Sequence, residues 1–115
     1  MVKNFVDYIP GRGDLVWLQF DPQAGHEQGG RRPALVISPQ AYNGKVGMAL
    51  MCPVTSKAKG YPFEVPLPED TKLSGVILAD QIKNLDWQAR QAEFAGKIQE
   101  EVVNEVLLKI QILIS

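Results

Sequence analysis

A short polar stretch carries the side chains best suited to acid–base chemistry on an anion. It runs Gly25-His26-Glu27-Gln28-Gly29-Gly30-Arg31-Arg32-Pro33 and leads directly into the apolar run Ala34-Leu35-Val36-Ile37. It holds the only histidine of the chain, and imidazole is the side chain that titrates near neutral pH. An arginine guanidinium binds two phosphate oxygens at once and keeps its charge. The stretch therefore predicts a loop that presents acid, base and cationic groups to a phosphate.

Within this stretch, Arg32 is the best candidate to stabilise negative charge on phosphorus. It stands where a glycine-rich loop meets a strand, so its backbone is fixed while its head reaches a ligand. His26 and Glu27 are candidate proton-transfer groups, although a glutamate needs a raised pKa to act as an acid. The neighbouring Arg31 and the amide of Gln28 are candidate phosphate and RNA contacts. The alternatives are an exposed Arg32 without a role and a solvated His26.

A second group of polar residues follows the third predicted strand. Thr55 and Ser56 offer hydroxyls to a phosphate, or they simply form a turn. Lys57 and Lys59 stand beside Tyr61, and cations next to an aromatic ring are used to bind single-stranded RNA through phosphate attraction and base stacking. Phe63 alternates inward with Val65 and is assigned to the core. The pair Asp80-Gln81 ends the fifth predicted strand, where it would face the same cleft.

Composition excludes several kinds of chemistry. The chain has one histidine and one cysteine, which cannot build a zinc site of the usual kind, and its acids show no metal-binding spacing. We therefore expect no metal and no cofactor. Chemistry on RNA remains possible because the ribose 2′-hydroxyl is itself a nucleophile. The protein then needs only to move protons and to stabilise the extra charge on phosphorus.

The charge distribution favours an anionic partner. The net charge is −1, which by itself argues against nonspecific nucleic-acid binding. From Gln28 to Phe63, however, the chain contains no Asp or Glu, and five basic residues fall there: Arg31, Arg32, Lys45, Lys57 and Lys59. This segment predicts a positive surface on an acidic protein. The alternative is a set of scattered, solvated lysines.

The remaining residues predict a single domain over residues 1–115 of mainly β structure with α (α+β). Hydrophobic runs and turn residues predict five strands and one amphipathic C-terminal helix over 98–114; the strands are 15–20, 33–38, 48–54, 63–67 and 75–79. Asn43-Gly44 predicts a turn, and 85–90 predicts a short helical turn capped by Asn84. Together these elements indicate a small, strongly bent sheet or barrel.

Cellular location and thiol chemistry follow from two further features. No apolar run approaches the ~20 residues of a membrane span, and Met1 to Asp7 lacks a secretory signal, so we expect a cytoplasmic protein. The lone Cys52 lies in an apolar strand and is expected to be an inert core thiol.

Several motifs in order resemble the MazF/PemK family of bacterial toxin endoribonucleases. The segments are Gly13-Asp14-Leu15-Val16-Trp17, Phe20-Asp21-Pro22, Gly25 to Gly29, Arg32 to Ser38, Pro53-Val54-Thr55-Ser56, Lys59 to Val65 and Val76 to Ile82. The resemblance implies a small SH3-like, CcdB/PemK-type β-barrel with a C-terminal helix, acting as a homodimer. It implies sequence-specific, metal-independent cleavage of single-stranded mRNA by 2′-hydroxyl attack, leaving a 2′,3′-cyclic phosphate and a 5′-hydroxyl. It also implies a cognate antitoxin whose acidic C-terminal tail lies across the RNA site.

The resemblance also assigns site residues. The family's central arginine falls on Arg32, its catalytic threonine on Thr55 and its loop glutamate on Glu27, while Gln81 falls at an RNA-contacting position. In some members a histidine and an aspartate serve as base and acid, and His26 and Asp80 occupy those positions. Such members carry an arginine where this chain has Leu78, which favours a mechanism centred on Arg32 and Thr55.

Two alternatives compete with this interpretation. A CcdB-like toxin of similar fold poisons gyrase by protein binding, with its determinant at the end of the C-terminal helix and typically a terminal Trp-Gly. This chain ends in Leu113-Ile114-Ser115, which disfavours that alternative. A catalytically dead barrel is disfavoured by the joint presence of His26, Glu27, Arg32 and Thr55.

Overall fold

A computed structural model of the chain describes residues 8–21, 25 and 28–115. The predicted proton-transfer candidates His26 and Glu27 lie outside the described residues. Within the described residues there are seven strands and two α-helices, with a 3-10 turn at Ala79–Gln81. In chain order they are β1 Asp14–Gln19, β2 Arg31–Val36, α1 Gln40–Val46, β3 Met48–Thr55, β4 Glu64–Pro66, β5 Val76–Leu78, β6 Lys83–Asp86, β7 Glu93–Lys97 and α2 Glu100–Ile114.

The sheet is organised around β3. Its first half pairs with β6, its middle with β2 and its last two residues with β5, each antiparallel. The strand path runs β4-β5-β3-β2-β1-β7. The expected mainly β fold with a C-terminal helix is confirmed. Among the described residues β4 and β7 do not pair, so the sheet is an open form of the small barrel.

Alternation along β1 and β2 divides the core into two apolar clusters. Leu15 and Leu35 point into the cluster that α2 covers with Val103, Val106 and Ile110. The intervening residues on the same strands, Val16, Leu18, Ala34 and Val36, point into a second cluster with Met51 and Trp87. Because successive strand residues face opposite sides of the sheet, the first three residues of β1 and the last three residues of β2 are buried on both faces. These two strands therefore form a rigid support for the loop that joins them.

All five predicted strands exist, with ends shifted by up to two residues. The most consequential shift is in β2, which begins at Arg31 rather than at Pro33. Both arginines are thus strand residues, and their side chains point to opposite faces of the sheet.

The predicted turn at Asn43-Gly44 is wrong, because both residues lie inside α1. Asn43 is fully buried, and its amide nitrogen donates to the carbonyls of Pro10 at 2.7 Å and Ser38 at 3.0 Å. The Trp87 indole donates to the Asn43 carbonyl at 3.0 Å. These tertiary hydrogen bonds override the local turn preference of the Asn-Gly pair.

The predicted helical turn over 85–90 is also wrong in its first half. Residues Lys83–Asp86 form β6, so Asn84 is a strand residue paired with Leu50 rather than a helix cap. Strand β7 was not predicted from the sequence. It is short, half exposed and pairs only with β1 among the described strands, with a register irregularity. Its stability therefore depends on a partner far away in the chain.

Helix α2 follows the predicted amphipathic pattern only over its first part. Val106 and Ile110 are buried as expected, and Val103 joins them. The predicted core positions Leu113 and Ile114 are instead 45% and 79% exposed, because the helix extends past the end of the apolar cluster. Within the described part of the chain, no helix is long and apolar enough to cross a membrane.

Candidate functional site

A cavity of about 630 Å³ opens where the start of β2, the end of β3 and the 3-10 turn meet. Its described lining comes from three separate parts of the chain, 25–32, 55–64 and 78–81, and most of the residues are polar: Gly25, Gln28, Gly29, Arg32, Thr55, Ser56, Lys57, Lys59, Tyr61, Glu64, Leu78, Asp80 and Gln81. Nine of these are candidates predicted from the sequence. The fold thus brings together side chains that lie up to 53 residues apart, such as Gln28 and Gln81.

Arg32 of β2 and Thr55 of β3 both line the cavity. The antiparallel pairing of these strands ends at Ala34 and Pro53, and strand alternation places Arg32 and Thr55, each two residues beyond that pair, on the same face of the sheet as the pair. The Arg32 Nε donates to the Gly29 carbonyl at 2.8 Å. That bond fixes the guanidinium plane, while no described residue takes its terminal nitrogens. Arg32 therefore presents an oriented cationic fork to the cavity.

The loop after β3 supplies further cations. Lys57 and Lys59 line the cavity with Tyr61, whose side chain is 59% exposed. The Lys59 ammonium lies 6.0 Å from the centre of the Tyr61 ring, within reach of a cation–π contact. The Lys57 N–H donates to Thr55 Oγ1 at 3.2 Å. Phe63 packs against the main apolar cluster, as predicted, which leaves Tyr61 as the aromatic ring available to a ligand.

The 3-10 turn presents Asp80 and Gln81 to the cavity from the opposite side. Gln81 Oε1 accepts a hydrogen bond from the Gln28 N–H at 3.2 Å. This contact ties the β1–β2 loop to the turn between β5 and β6. Asp80 is exposed, so its carboxylate is available to solvent and to a ligand.

Arg31 lies outside the set of cavity-lining residues. Its Nη2 donates to Glu93 Oε1 at 2.6 Å and to the Gln91 carbonyl at 2.9 Å. Since Arg31 and Arg32 are adjacent in β2, the alternation of the strand turns them to opposite faces. The structure therefore separates the two predicted guanidiniums, and only Arg32 faces the cavity.

Besides Gly25 and Gly29, two lining residues were not among the candidates predicted from the sequence. Leu78 ends β5 and gives the cavity an apolar wall. Glu64 begins β4, and its carboxylate accepts hydrogen bonds from the N–H groups of Lys59 and Gly60. The signal for Glu64 was present in the sequence, because alternation with the inward Phe63 and Val65 already set it apart from the core.

Among the described residues that line the cavity, the formal charges favour anion binding. Arg32, Lys57 and Lys59 contribute positive charge, and Glu64 and Asp80 contribute negative charge. Both oxygens of Glu64 are occupied by backbone N–H groups, so its charge is already compensated by peptide dipoles. Arg32, Lys57 and Lys59 all belong to the segment from Gln28 to Phe63, which contains no Asp or Glu. Lys45 of the same segment lies on α1 and is not among the lining residues.

The one thiol of the chain, that of Cys52, belongs to the main apolar cluster and does not line the cavity. Cys52 is fully buried, and burial, assisted by the charge of Asp80, raises the pKa of its thiol from 9.0 to about 12. A thiol with so high a pKa is a poor nucleophile at neutral pH. The prediction that Cys52 lies in the core is confirmed, and the raised pKa of its thiol supports the predicted lack of reactivity. Among the described residues, no group of three His, Cys, Asp or Glu side chains could hold a metal ion.

Residues 11–114 match the family of PemK-like, MazF-like toxins of type II toxin–antitoxin systems. A crystal structure of MazF from Deinococcus radiodurans is 58% identical and superimposes with a TM-score of 0.91, covering 94% of this chain and 98% of that one. A MazE–MazF complex from the same organism gives a TM-score of 0.86 at 58% identity, covering 94% and 97% of the two chains.

Two curated relatives from Escherichia coli K12 are similar over comparable lengths. The endoribonuclease toxin MazF is 49% identical over 107 residues, which are 93% of this chain and 96% of that protein. The endoribonuclease toxin ChpB is 44% identical over 108 residues, covering 90% and 92%. The fold, the lining of the cavity and these matches lead to one conclusion: the chain belongs to the PemK-like, MazF-like family of toxins of type II toxin–antitoxin systems.

Proposed function

We propose that this protein is the toxin of a toxin–antitoxin pair and acts as a sequence-specific endoribonuclease on single-stranded mRNA in the cytoplasm. The observation that carries the proposal is the shared cavity of Arg32 and Thr55, flanked by Lys57, Lys59 and the exposed Tyr61 ring. This is a cationic surface with a stacking platform, which suits a single strand of nucleic acid. The endoribonuclease names of the E. coli relatives support the same activity.

The proposed reaction uses the nucleophile that RNA itself carries. The ribose 2′-oxygen attacks the adjacent phosphorus as a base removes the 2′-hydroxyl proton. The bond from phosphorus to the 5′-oxygen then breaks, and an acid supplies a proton to that oxygen. The products are a 2′,3′-cyclic phosphate and a 5′-hydroxyl, and no water, metal or cofactor is consumed. His26, Glu27 and Asp80 are the candidates for base and acid.

Arg32 and Thr55 act on the phosphate in this proposal. The fixed Arg32 guanidinium donates to the non-bridging oxygens, which gain negative charge as the pentacoordinate state forms, and such preorganised donors favour the transition state over the substrate. The Thr55 hydroxyl donates to the same phosphate, assisted by Ser56. Gln28, Lys57, Lys59, Tyr61 and Gln81 hold the flanking nucleotides, and Arg31 contributes long-range phosphate attraction from the opposite face of the sheet.

A cleavage assay with a modified substrate tests the reaction. Cleavage sites are first mapped on a long mixed-sequence transcript in EDTA. A short RNA containing one such site is then compared with the same RNA carrying a single 2′-deoxyribose at the scissile nucleotide. We expect the first to be cut to a 5′-hydroxyl product and the second to remain intact. Cleavage of the deoxy substrate would refute the 2′-hydroxyl mechanism, and cleavage only with added Mg²⁺ would refute its metal independence.

The proposed partners are a second copy of the chain and an acidic antitoxin. Exposed apolar side chains on the outer part of α2, namely Leu108, Ile112, Leu113 and Ile114, provide area that a homodimer would bury. The MazE–MazF complexes of the Deinococcus relative support an antitoxin partner, whose acidic C-terminal tail would compete with RNA for the cationic cavity. Light scattering tests the dimer, and inhibition of cleavage by an acidic peptide tests the shared site. A CcdB-like action on gyrase is not favoured.

A further inference from the structure

Glu64 places a carboxylate in the wall of a cavity that would bind phosphates. It is half-buried at the start of β4, and its oxygens accept hydrogen bonds from two successive backbone N–H groups. Oε2 lies 3.0 Å from the Lys59 nitrogen, and Oε1 lies 2.9 Å from the Gly60 nitrogen. A negative charge here opposes RNA by Coulomb's law alone. Its presence therefore needs a structural reason.

The two N–H groups form a small concave anion site that Glu64 fills. Gly60 has a φ of 80°, a left-handed conformation that glycine adopts without strain. A turn of this kind aims successive N–H groups at one point. The carboxylate occupying that point is part of the protein itself, so the loop is closed on its own strand.

The closed loop is the one that carries the cationic and aromatic side chains of the cavity. Its backbone is also fixed on either side of the Glu64 contact. The Lys57 N–H donates to Thr55 Oγ1 at 3.2 Å, and Lys109 of α2 donates to the Pro62 carbonyl at 2.6 Å. Residues 56–62 are otherwise exposed and lie outside any helix or strand. Without these contacts, the segment would be flexible in the free protein and would become ordered only when RNA binds. The entropic cost of ordering it would then weaken binding.

We propose that Glu64 is a positioning residue for RNA binding, because its carboxylate preforms the loop that presents Lys57, Lys59 and Tyr61 to the strand. The inference rests on the proposed endoribonuclease function. Ordering a loop before binding removes a cost from the binding step. Both carboxylate oxygens of Glu64 already accept backbone N–H groups of the loop, and the proposed reaction gives Glu64 no role at the reacting atoms. Its loss should therefore raise KM and leave kcat nearly unchanged.

The sign of the change separates positioning from simple charge. If Glu64 acted only through its charge, the Glu64→Ala variant would bind RNA more tightly, because a negative group would be gone. If it positions the loop, the same variant binds more weakly, with KM raised about tenfold. Glu64→Gln should fall between the wild type and Glu64→Ala, since its carbonyl oxygen still accepts one N–H. Glu69→Ala is the matched control, because Glu69 is exposed and lies outside the cavity.

The test combines amide hydrogen exchange by NMR on the RNA-free protein with kcat and KM on a short RNA containing a mapped site. We expect exchange at the Lys59 and Gly60 amides to be at least about tenfold faster in Glu64→Ala, with KM raised and kcat within about twofold. Glu69→Ala should match the wild type in all three. If Glu64→Ala does not fold, Glu64→Gln provides the same comparison at a smaller amplitude.

Three results would overturn the inference. Unchanged exchange at both amides would show that Glu64 does not hold the loop. Faster exchange with an unchanged or lowered KM would show that the preformed loop does not aid RNA binding. A loss confined to kcat would place Glu64 in the chemical step instead. A wild-type protein that cuts no RNA would refute the proposed function itself, which is a distinct result because it precedes any substitution.

Discussion

Replacing Arg32 by alanine is the most direct perturbation of the proposed mechanism. Among the described residues, Arg32 is the one arginine that lines the cavity. The substitution removes its guanidinium and the hydrogen bond from Nε to the Gly29 carbonyl at 2.8 Å. Because this bond is partly exposed and its acceptor is neutral, its loss should lower the free energy of unfolding by about 1 kcal/mol or less. The fold should therefore survive.

The expected effect on catalysis is much larger than the effect on stability. Removing one preorganised donor to a developing oxyanion typically lowers kcat by about 10²–10³-fold, or roughly 3–4 kcal/mol of transition-state stabilisation. Arg32→Lys keeps the charge but loses the planar fork, so it should recover only part of the activity. The measurement is kcat and KM on a fluorescently labelled RNA oligonucleotide in EDTA at constant ionic strength, with thermal unfolding in parallel.

Arg12→Ala is the matched control for this variant. Arg12 also donates from Nε to a backbone carbonyl, that of Ile37 at 2.6 Å, and it lies outside the cavity lining. The two variants lose the same charge and a similar bond, so their unfolding free energies should change alike while only Arg32→Ala loses activity. If Arg32→Ala retains cleavage within about threefold of the wild type, the proposed role of its guanidinium is wrong.

Three further predictions concern residues around the cavity and the core. In Gly75→Ala, the new Cβ would clash with the Thr55 carbonyl oxygen, and the backbone φ of 130° would be strained. We expect the free energy of unfolding, measured with denaturant, to fall by about 2–4 kcal/mol and RNA cleavage to be reduced. Unchanged stability would contradict this close approach of the two backbones. The pKa of the Cys52 thiol is raised in the folded state, so its contribution to stability is fully present below pH 9 and is lost as the pH rises towards 12. Relative to Cys52→Ala, the free energy of unfolding of the wild type should fall by about 1 kcal/mol between pH 8 and pH 10. Parallel pH profiles of the two proteins would contradict this prediction. Asp14 is buried and accepts hydrogen bonds from the Tyr8 hydroxyl at 2.7 Å and the Gly11 N–H at 3.0 Å. Asp14→Ala should therefore lower the free energy of unfolding in urea by about 3 kcal/mol. A change below about 0.5 kcal/mol would show that these hydrogen bonds contribute little.

The local sequence pattern was sufficient to predict much of the secondary structure. The apolar alternation of β1 and β2 and the helical spacing of α2 predicted these elements, because burial of one face depends on side-chain periodicity within a few residues. The loop-to-strand position of Arg32 was also a local property. It predicted a fixed backbone under a projecting guanidinium, and the structure places that guanidinium in the cavity.

The remaining elements required contacts that no local window contains. Strands β6 and β7 are stabilised by pairing with β3 and β1, far away in the chain, and β-structure follows such context more than intrinsic preference. The helix around Asn43 depends on hydrogen bonds to Pro10 and Ser38. A turn signal taken from adjacent residues could not include these bonds.

The order of amino acids sets which side chains are available for chemistry, whereas the folded chain sets which of them meet. Adjacent arginines look equivalent in the sequence, yet strand alternation turns Arg32 into the cavity and Arg31 towards Glu93. The carboxylate of Glu64 looks like a solvated strand residue until the turn at Gly60 brings two N–H groups to it. Both outcomes depend on the direction in which the folded backbone points each group, and that direction is fixed only when distant strands pair.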